Sequence, residues 1–237
     1  MNAALHDDGF LPAGSVLTTA ELERARAATD RLLAIHGASS DYGVIALDAW
    51  RREPVFRGLL DPVARLARDL LGLAAVRLFQ DLVIDKPASA TTPLPLHQDQ
   101  AYLPLDRDDG VVAWIALDDA DAASGCLHYV PGSHRLGRRR PASFSGAPEC
   151  DLHLPAIDPG DRPVVPVPVS AGDALFHLPQ VWHGSPPNVS RSRRRAWSIW
   201  FVHPDVRWAP DRASHPYLTE LAPAPGPPLT GERFPCF

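Results

Sequence analysis

The sequence is bounded first by what it lacks. Only three cysteines stand among its 237 residues, Cys126, Cys150 and Cys236, an odd number at wide spacing. That excludes a disulfide framework and a zinc-knuckle pattern, and it suits a reducing compartment. No apolar run approaches the roughly 20 residues needed to cross a bilayer. The stretch from Met1 to Phe10 has no basic region followed by an apolar core, so no signal peptide is expected there. With a formal net charge of −5, the chain also lacks the positive excess that marks nucleic-acid binding. No internal repeat is present. The expectation is a cytoplasmic protein with no nucleic-acid or membrane partner, large enough for one sizeable core.

What is abundant is proline, 26 residues, well above the ordinary ~5%. Strand edges, turns and extended loops should therefore take much of the chain. The first third reads as helical. Thr18-Thr19-Ala20-Glu21 fits a capping box, followed by Leu22, Ala25, Thr29, Leu32 and Leu33 at helical spacing, with Gly37 as the stop. A second helix is expected to open at Asp61-Pro62, carry Val63, Leu66, Ala67, Leu70 and Leu71 on one face, and end at Gly72.

From Val76 the texture changes to short β-favouring runs: 76–84, 111–117, 126–130, 164–169, 174–176 and 196–202. Antiparallel strands closing into a jelly roll or barrel are the natural reading. Between Gly132 and Pro163 lies a long polar, proline-rich stretch of the kind that forms binding loops. The tail from Leu221 to Phe237 should hold little regular structure.

Two histidines and one carboxylate are the ligand set that holds iron(II) on one side and leaves the other open. Residues two apart on a strand share a face, so a His-X-Asp triplet can aim both side chains at one ion. Three such triplets occur: His6-Asp7-Asp8, His97-Gln98-Asp99 and His203-Pro204-Asp205. Position favours His97. His6 lies in an N-terminal arm ahead of the first helix, and His203 has only His215 after it, in a proline-broken segment. His97 is followed by several strands and then by a further histidine, His183, with His177 as a rival six residues earlier. If 191–202 includes a strand, Arg194, Ala196 and Ser198 share one face, and Arg195, Trp197, Ile199 and Phe201 the other. The first face sets an arginine among small neighbours, with room for a small anion gripped by two parallel hydrogen bonds. The other arginines of this cluster, Arg191, Arg193 and Arg195, read as a solvated basic turn.

These residues sit within a longer ordered pattern. It runs through Lys86-Pro87, Leu96-His97-Gln98-Asp99-Gln100-Ala101-Tyr102 and Trp114-Ile115-Ala116-Leu117-Asp118-Asp119-Ala120. It continues with Ser124-Gly125-Cys126-Leu127, Val130-Pro131-Gly132-Ser133-His134 and Ala171-Gly172-Asp173-Ala174. It closes with His183-Gly184-Ser185, Asn188-Val189-Ser190 and Arg194-Arg195-Ala196. In this order, over roughly Gly9 to His203, the chain resembles the phytanoyl-CoA dioxygenase (PhyH) family of Fe(II)/2-oxoglutarate-dependent oxygenases.

The resemblance implies a double-stranded β-helix (jelly roll) core with N-terminal helices packed outside it. Residues 1–237 would form a single domain, helical over about 1–75, β-helical over about 76–203, with a proline-rich tail over 204–237. His97, Asp99 and His183 would be the iron ligands. Arg194, eleven positions after His183, would bind the far carboxylate of 2-oxoglutarate, with Arg195 as the off-by-one alternative. Gln80 and Lys86 resemble positions that approach the co-substrate; Ser185 and Asn188 are similar candidates, Asn188 also fitting a turn-shaping role. Trp114, His128 and His134 read as structural.

The implied reaction consumes 2-oxoglutarate and O2, releases succinate and CO2, and hydroxylates an unactivated C–H bond of a small metabolite, as in specialised metabolism. The carboxylate at Asp99 argues against halogenation, since related halogenases carry a small residue there. Desaturation, epimerisation and ring formation use the same ligands. A non-catalytic jelly-roll binding module is an alternative outside that class. A cupin-type metal site is another, although the chain has no His-X-His. The loops 87–96, 103–110 and 135–163 and the tail after Pro204 would line the entrance. Within them Arg135, Arg138, Arg139 and Arg140 could meet an anionic substrate, a solvated loop being the plainer reading.

Overall fold

Strict alternation along the strand Arg194–Val202 divides the molecule into its layers. In the computed structural model, which describes residues 2–40, 43–90, 92–139, 157–213 and 225–237, this strand is β11. Trp197, Ile199 and Phe201 point out of one face into a helix-covered core; Ala196, Trp200 and Val202 point out of the other into a core shared with a second sheet. Arg194 and Ser198 share the parity of that second set, as the strand period requires.

Eleven strands among the described residues make two antiparallel sheets. The larger is built from β1 (Phe10–Ser15), β2 (Ala38–Ser40), β3 (Gly43–Leu47), β4 (Arg77–Lys86), β6 (Gly110–Ala116), β9 (Asp173–His177) and β11, in the order β1-β9-β6-β11-β4-β3-β2. The smaller holds β5 (Leu94–His97), β7 (Leu127–Tyr129), β8 (Val165–Val167) and β10 (His183–Ser185), in the order β5-β10-β7-β8. The two inner faces enclose a core that includes Phe79, Leu82, Ile84, Trp114, Leu127, Tyr129 and Trp200. This is the jelly-roll-type core that the sequence reading anticipates. All six expected strand runs form, with ends shifted by a few residues.

The helices lie on the outer face of the large sheet. The Thr18 hydroxyl accepts from the Glu21 N–H, and the Glu21 carboxylate accepts from the Thr18 N–H at 2.8 Å, so the capping box opens α2 (Thr19–His36) as expected. The helix α4 corrects its expected start. It runs from Pro54 to Leu71, so Pro62 is interior and the helix begins two turns earlier than Asp61-Pro62. Its apolar face, Phe56, Leu59, Leu60, Val63, Ala64 and Ala67, is continuous through the proline, and that burial outweighs the one lost backbone bond. Phe56 packs on Trp197 with ring centroids 4.8 Å apart. Gly72 ends the helix in the left-handed conformation, φ 69°, that glycine adopts without strain.

Two short helices, α1 (Ala3–Asp7) and α3 (Ala49–Arg52), complete the layer. A buried acid anchors it to the sheet. Asp81 Oδ2 accepts from Trp197 Nε1 at 2.8 Å and from the Trp50 N–H at 3.0 Å, and burial pushes its pKa up to about 7.

Residues 1–75 are not only helical. β1 extends the large sheet beside β9, and β3 with β2 extends it beside β4, so the N-terminal part is woven into both ends of the sheet. The expected solvated basic turn is likewise corrected. Arg193 pairs with Asp85 and Asp30, and Arg195 with Asp118 and Asp30, tying α2 to the sheet.

The tail also differs from expectation. Residues 225–237 dock against the start of β4, with Phe237 and Val76 exchanging backbone bonds and Phe234 stacked on Phe79. Cys126 and Cys236 are unbonded thiols. No helix among the described residues is long and apolar enough to cross a membrane. Arg140, Cys150, His215 and the middle of the 135–163 loop lie outside the described residues.

Candidate active site

The end of β5 and the start of β10 carry the central residues. His97 closes β5, Asp99 opens the 3-10 turn Asp99–Tyr102 that follows, and His183 opens β10. One ligand atom from each lies within 4.8 Å of the other two. Asp99 Oδ1 is 3.4 Å from His97 Nε2 and 3.7 Å from His183 Nε2. All three side chains are nearly out of water, His97 5%, Asp99 9% and His183 4% exposed.

The outer ring nitrogens are already engaged. His97 Nδ1 lies 2.9 Å from the Pro95 carbonyl and His183 Nδ1 3.1 Å from the Val181 carbonyl. A carbonyl only accepts, so each Nδ1 carries the proton and each Nε2 presents a lone pair inward. Burial depresses the His183 pKa, with the His97 and His177 rings adding to it, so the ring stays neutral. Burial alone would raise Asp99; the His183, His177 and His97 rings gathered around it outweigh burial and hold the carboxyl well below its ordinary range. Neutral imidazoles and an ionised carboxylate are the forms that ligate a divalent metal.

A second, cationic pocket adjoins this cluster. Arg194 opens β11 directly opposite Lys86 at the end of β4. Both are buried, 2% and 1% exposed. Ser185, two residues beyond His183, accepts from Lys86 Nζ at 3.0 Å and from Arg194 Nη2 at 3.3 Å, and donates to the Gly125 carbonyl at 2.8 Å. Lys86 also donates to the Ser185 and Pro186 carbonyls. The Arg194 guanidinium lies 5.2 Å from the Trp114 ring centroid, a cation–π contact.

Among the described residues neither cation has a carboxylate partner, and the buried Arg194 Nε has no hydrogen-bond partner at all. Burial lowers Arg194 to about 10; burial and then the Arg194 charge lower Lys86 to about 7. A buried guanidinium with an unused N–H, beside a second cation, has the chemistry to receive a small anion.

The remaining candidates sort by position. Gln80 stands opposite Trp200, six residues along β4 from Lys86, so it lies away from the Arg194 end; its Oε1 is buried and unpartnered. Asn188 donates to the Lys86 and Ser192 carbonyls and accepts from the Ser190 N–H, holding the turn before β11. Arg195 faces out, paired with Asp118 at 2.8 Å, which removes it as the alternative to Arg194. His134 bonds the His6 carbonyl at 3.0 Å and is structural. His128 lies on β7 between the inward residues Leu127 and Tyr129, so strand alternation turns it to the outer side of the small sheet.

The other two triplets close on themselves. His6 bonds Asp7 at the surface, and His203 Nδ1 accepts from the Asp205 N–H. The loop arginines are engaged too: Arg135 donates to the His6 carbonyl, Arg138 lies 3.6 Å from Asp108, and Arg139 sits over Trp182. Gln98 points away from the cluster and bonds the Gly137 and Gln180 carbonyls and the Arg139 N–H, pinning the loop base.

Sequence reasoning passed over Trp200, whose Nε1 donates to Asp99 Oδ2 at 3.1 Å. Its even-numbered parity with Arg194 on β11 was the available signal. His177, the rival ligand, lies outside the cluster of three but 3.3 Å from the same Asp99 oxygen.

The chain has counterparts among known proteins. A protein from Bos taurus, phytanoyl-CoA dioxygenase domain-containing protein 1, is 32% identical over 186 residues, 75% of this chain. The chain spans 62% of that relative's length. A solved α-ketoglutarate-dependent carbocyclase of nogalamycin biosynthesis, SnoK, superposes with a TM-score of 0.82 and 30% identity, covering 98% of this chain and 93% of its own. The epimerase SnoN, solved with Fe3+, α-ketoglutarate and nogalamycin RO, superposes with a TM-score of 0.81 and 28% identity, over 99% and 96%. A family model described as phytanoyl-CoA dioxygenase (PhyH) matches residues 5–196, most of the chain. The chain belongs to the phytanoyl-CoA dioxygenase (PhyH) family.

Proposed function

We propose that the protein is an iron(II)- and 2-oxoglutarate-dependent oxygenase that hydroxylates a C–H bond of a small molecule. The observation that carries this reading is a pair of adjoining half-sites. One gathers three ligand atoms of His97, Asp99 and His183 within 4.8 Å; the other buries Arg194 with an unpartnered Nε.

Both groups fit the residues present. His97 Nε2, His183 Nε2 and Asp99 would hold iron, a donor set suited to iron(II) with positions left open. Arg194 would take the far carboxylate of 2-oxoglutarate, with Ser185 and Lys86 completing the cradle. Gln80 would meet whatever sits nearer the metal. When bound, iron and 2-oxoglutarate supply the oxidising power: O2 and 2-oxoglutarate become succinate and CO2 as one oxygen atom passes to the substrate. The two sheets exclude water around the cluster, and the Nδ1–carbonyl bonds keep both imidazoles aimed at it.

Ring closure or epimerisation at the same centre is the second reading. It is favoured by the carbocyclase and the epimerase that cover nearly all of the chain. Anaerobic addition of iron(II) and 2-oxoglutarate should give a visible charge-transfer band. Oxygen with a metabolite panel should then release succinate. A product that gains one oxygen supports hydroxylation; one that loses two hydrogens or keeps its mass supports the second reading. Absence of both band and succinate would leave a binding module.

A further inference from the structure

The three candidate ligands stand on the small sheet and the turn after β5, yet Asp99 is gripped from the large sheet. Phe10, His177, Val112, Trp200 and Gln80 form one row across β1, β9, β6, β11 and β4, each in register with the next. A facing row on the small sheet runs His97, His183, Tyr129. Two members of the first row reach across to one atom. Trp200 Nε1 donates to Asp99 Oδ2 at 3.1 Å, and His177 Nε2 lies 3.3 Å from the same oxygen. Behind His177, the Tyr129 hydroxyl is 3.0 Å from Nδ1.

The donor inventory orders this chain. An ionised carboxylate only accepts, so the hydrogen between His177 and Asp99 belongs to His177 Nε2. Nδ1 is then free to accept, and the Tyr129 hydroxyl can donate to it. Oδ2 thus takes two N–H bonds, one from each side of the Val112 position, while Oδ1 is the oxygen that faces His97 Nε2 and His183 Nε2.

We propose that Trp200 and His177 are positioning residues that occupy Asp99 Oδ2 and leave Oδ1 as its one ligand oxygen. This rests on the reading of His97, Asp99 and His183 as metal ligands. The consequence concerns coordination number. A carboxylate that binds through both oxygens uses two metal positions; held to one oxygen, it leaves the extra position for co-substrate. Asp99 needs such external holders because it sits in a single 3-10 turn, outside the sheet register that fixes both histidines. The same wiring separates His177 from the ligands, since its inward nitrogen carries a proton.

Two measurements test this. Nitrogen-15 spectra of the metal-free wild-type protein should place a proton on His177 Nε2; a bare Nε2 overturns the proposal without any substitution. Co(II) titration of Trp200→Phe and His177→Phe should then show binding weakened about 10–100-fold. Their visible Co(II) absorption should also differ from the wild type, as the released oxygen takes a metal position otherwise open to water or co-substrate. His177→Gln, which restores an N–H at the Nε2 position, should recover most of the wild-type spectrum. Wild-type affinity and spectrum in both Phe variants overturn the proposal. Co(II) binding without succinate release defeats the functional reading and leaves this one standing. No Co(II) binding by the wild-type protein defeats both.

Discussion

His183 stands directly opposite His97 in the antiparallel register of β5 and β10, with ring centroids 4.3 Å apart. Each ring bonds the carbonyl two residues before it, Pro95 for His97 and Val181 for His183. The two ligand candidates are therefore set by one strand pairing rather than by separate loops, and whatever disturbs that pairing should disturb metal binding.

Gly184 is the point where the pairing is most exposed to change. A Cβ there would lie 2.7 Å from the Leu94 carbonyl oxygen and 3.1 Å from the Leu96 nitrogen, both backbone atoms that cannot swing aside. Gly184→Ala should push β5 from β10, destabilise the fold by about 1–3 kcal/mol, and weaken metal binding. Thermal unfolding and Co(II) titration check this; wild-type values in both would show that the strands have slack.

Asp99→Ala removes the one charged ligand candidate of the cluster and strands two donors, Trp200 Nε1 and His177 Nε2, that now share its Oδ2. Substrate-stimulated succinate release should fall by more than the roughly 100-fold that loss of an outer-shell partner brings. Wild-type succinate formation in this variant would refute the assignment.

Arg194 and Arg195 are adjacent and chemically identical, and they should separate cleanly. Arg194→Ala empties the buried pocket beside Ser185 and should weaken 2-oxoglutarate binding by about 2–5 kcal/mol, roughly 30-fold to 4,000-fold in KM. Arg195→Ala breaks the pairs to Asp118 and Asp30 on the outer side, and should lower the unfolding temperature with KM unchanged. A KM effect confined to Arg195→Ala would reverse the strand parity.

Much of this site was legible in the sequence because it depends on short-range geometry. His97 and Asp99 do meet, although not as two residues of one strand face, since β5 ends at His97 and Asp99 stands in the 3-10 turn that follows. Arg194 shares parity with Ser198, and the ordered motifs hold His183. The helix start at Pro54 was hidden because Pro62 imitates a first-turn proline while Phe56, Leu59 and Leu60 continue the same apolar face ahead of it. β1 was hidden because Pro12 and Gly14 break its alternation, and β10 because three residues hold no period. Asp30 lies 163 residues from Arg193, so no local pattern could reveal that pair. The grip of Trp200 on Asp99 crosses from one sheet to the other, which parity allows but does not specify.

Asp81 makes stability depend on pH through the helix layer. Its pKa rises from 3.8 to about 7 because burial disfavours the charge, more than the Trp197 and Trp50 hydrogen bonds favour it. A carboxyl with a raised native pKa holds its proton more tightly folded than unfolded. The native state therefore gains below the unfolded pKa and loses that gain as pH rises from about 4 through about 7. The loss is on the order of 4 kcal/mol. In Asp81→Asn the amide oxygen can accept the same two N–H groups and nothing ionises. Chemical unfolding of both proteins at about pH 4 and about pH 8 should show the variant gaining on wild type as pH rises. A stability difference that is the same at both pH values would mean that Asp81 is not ionising inside the fold.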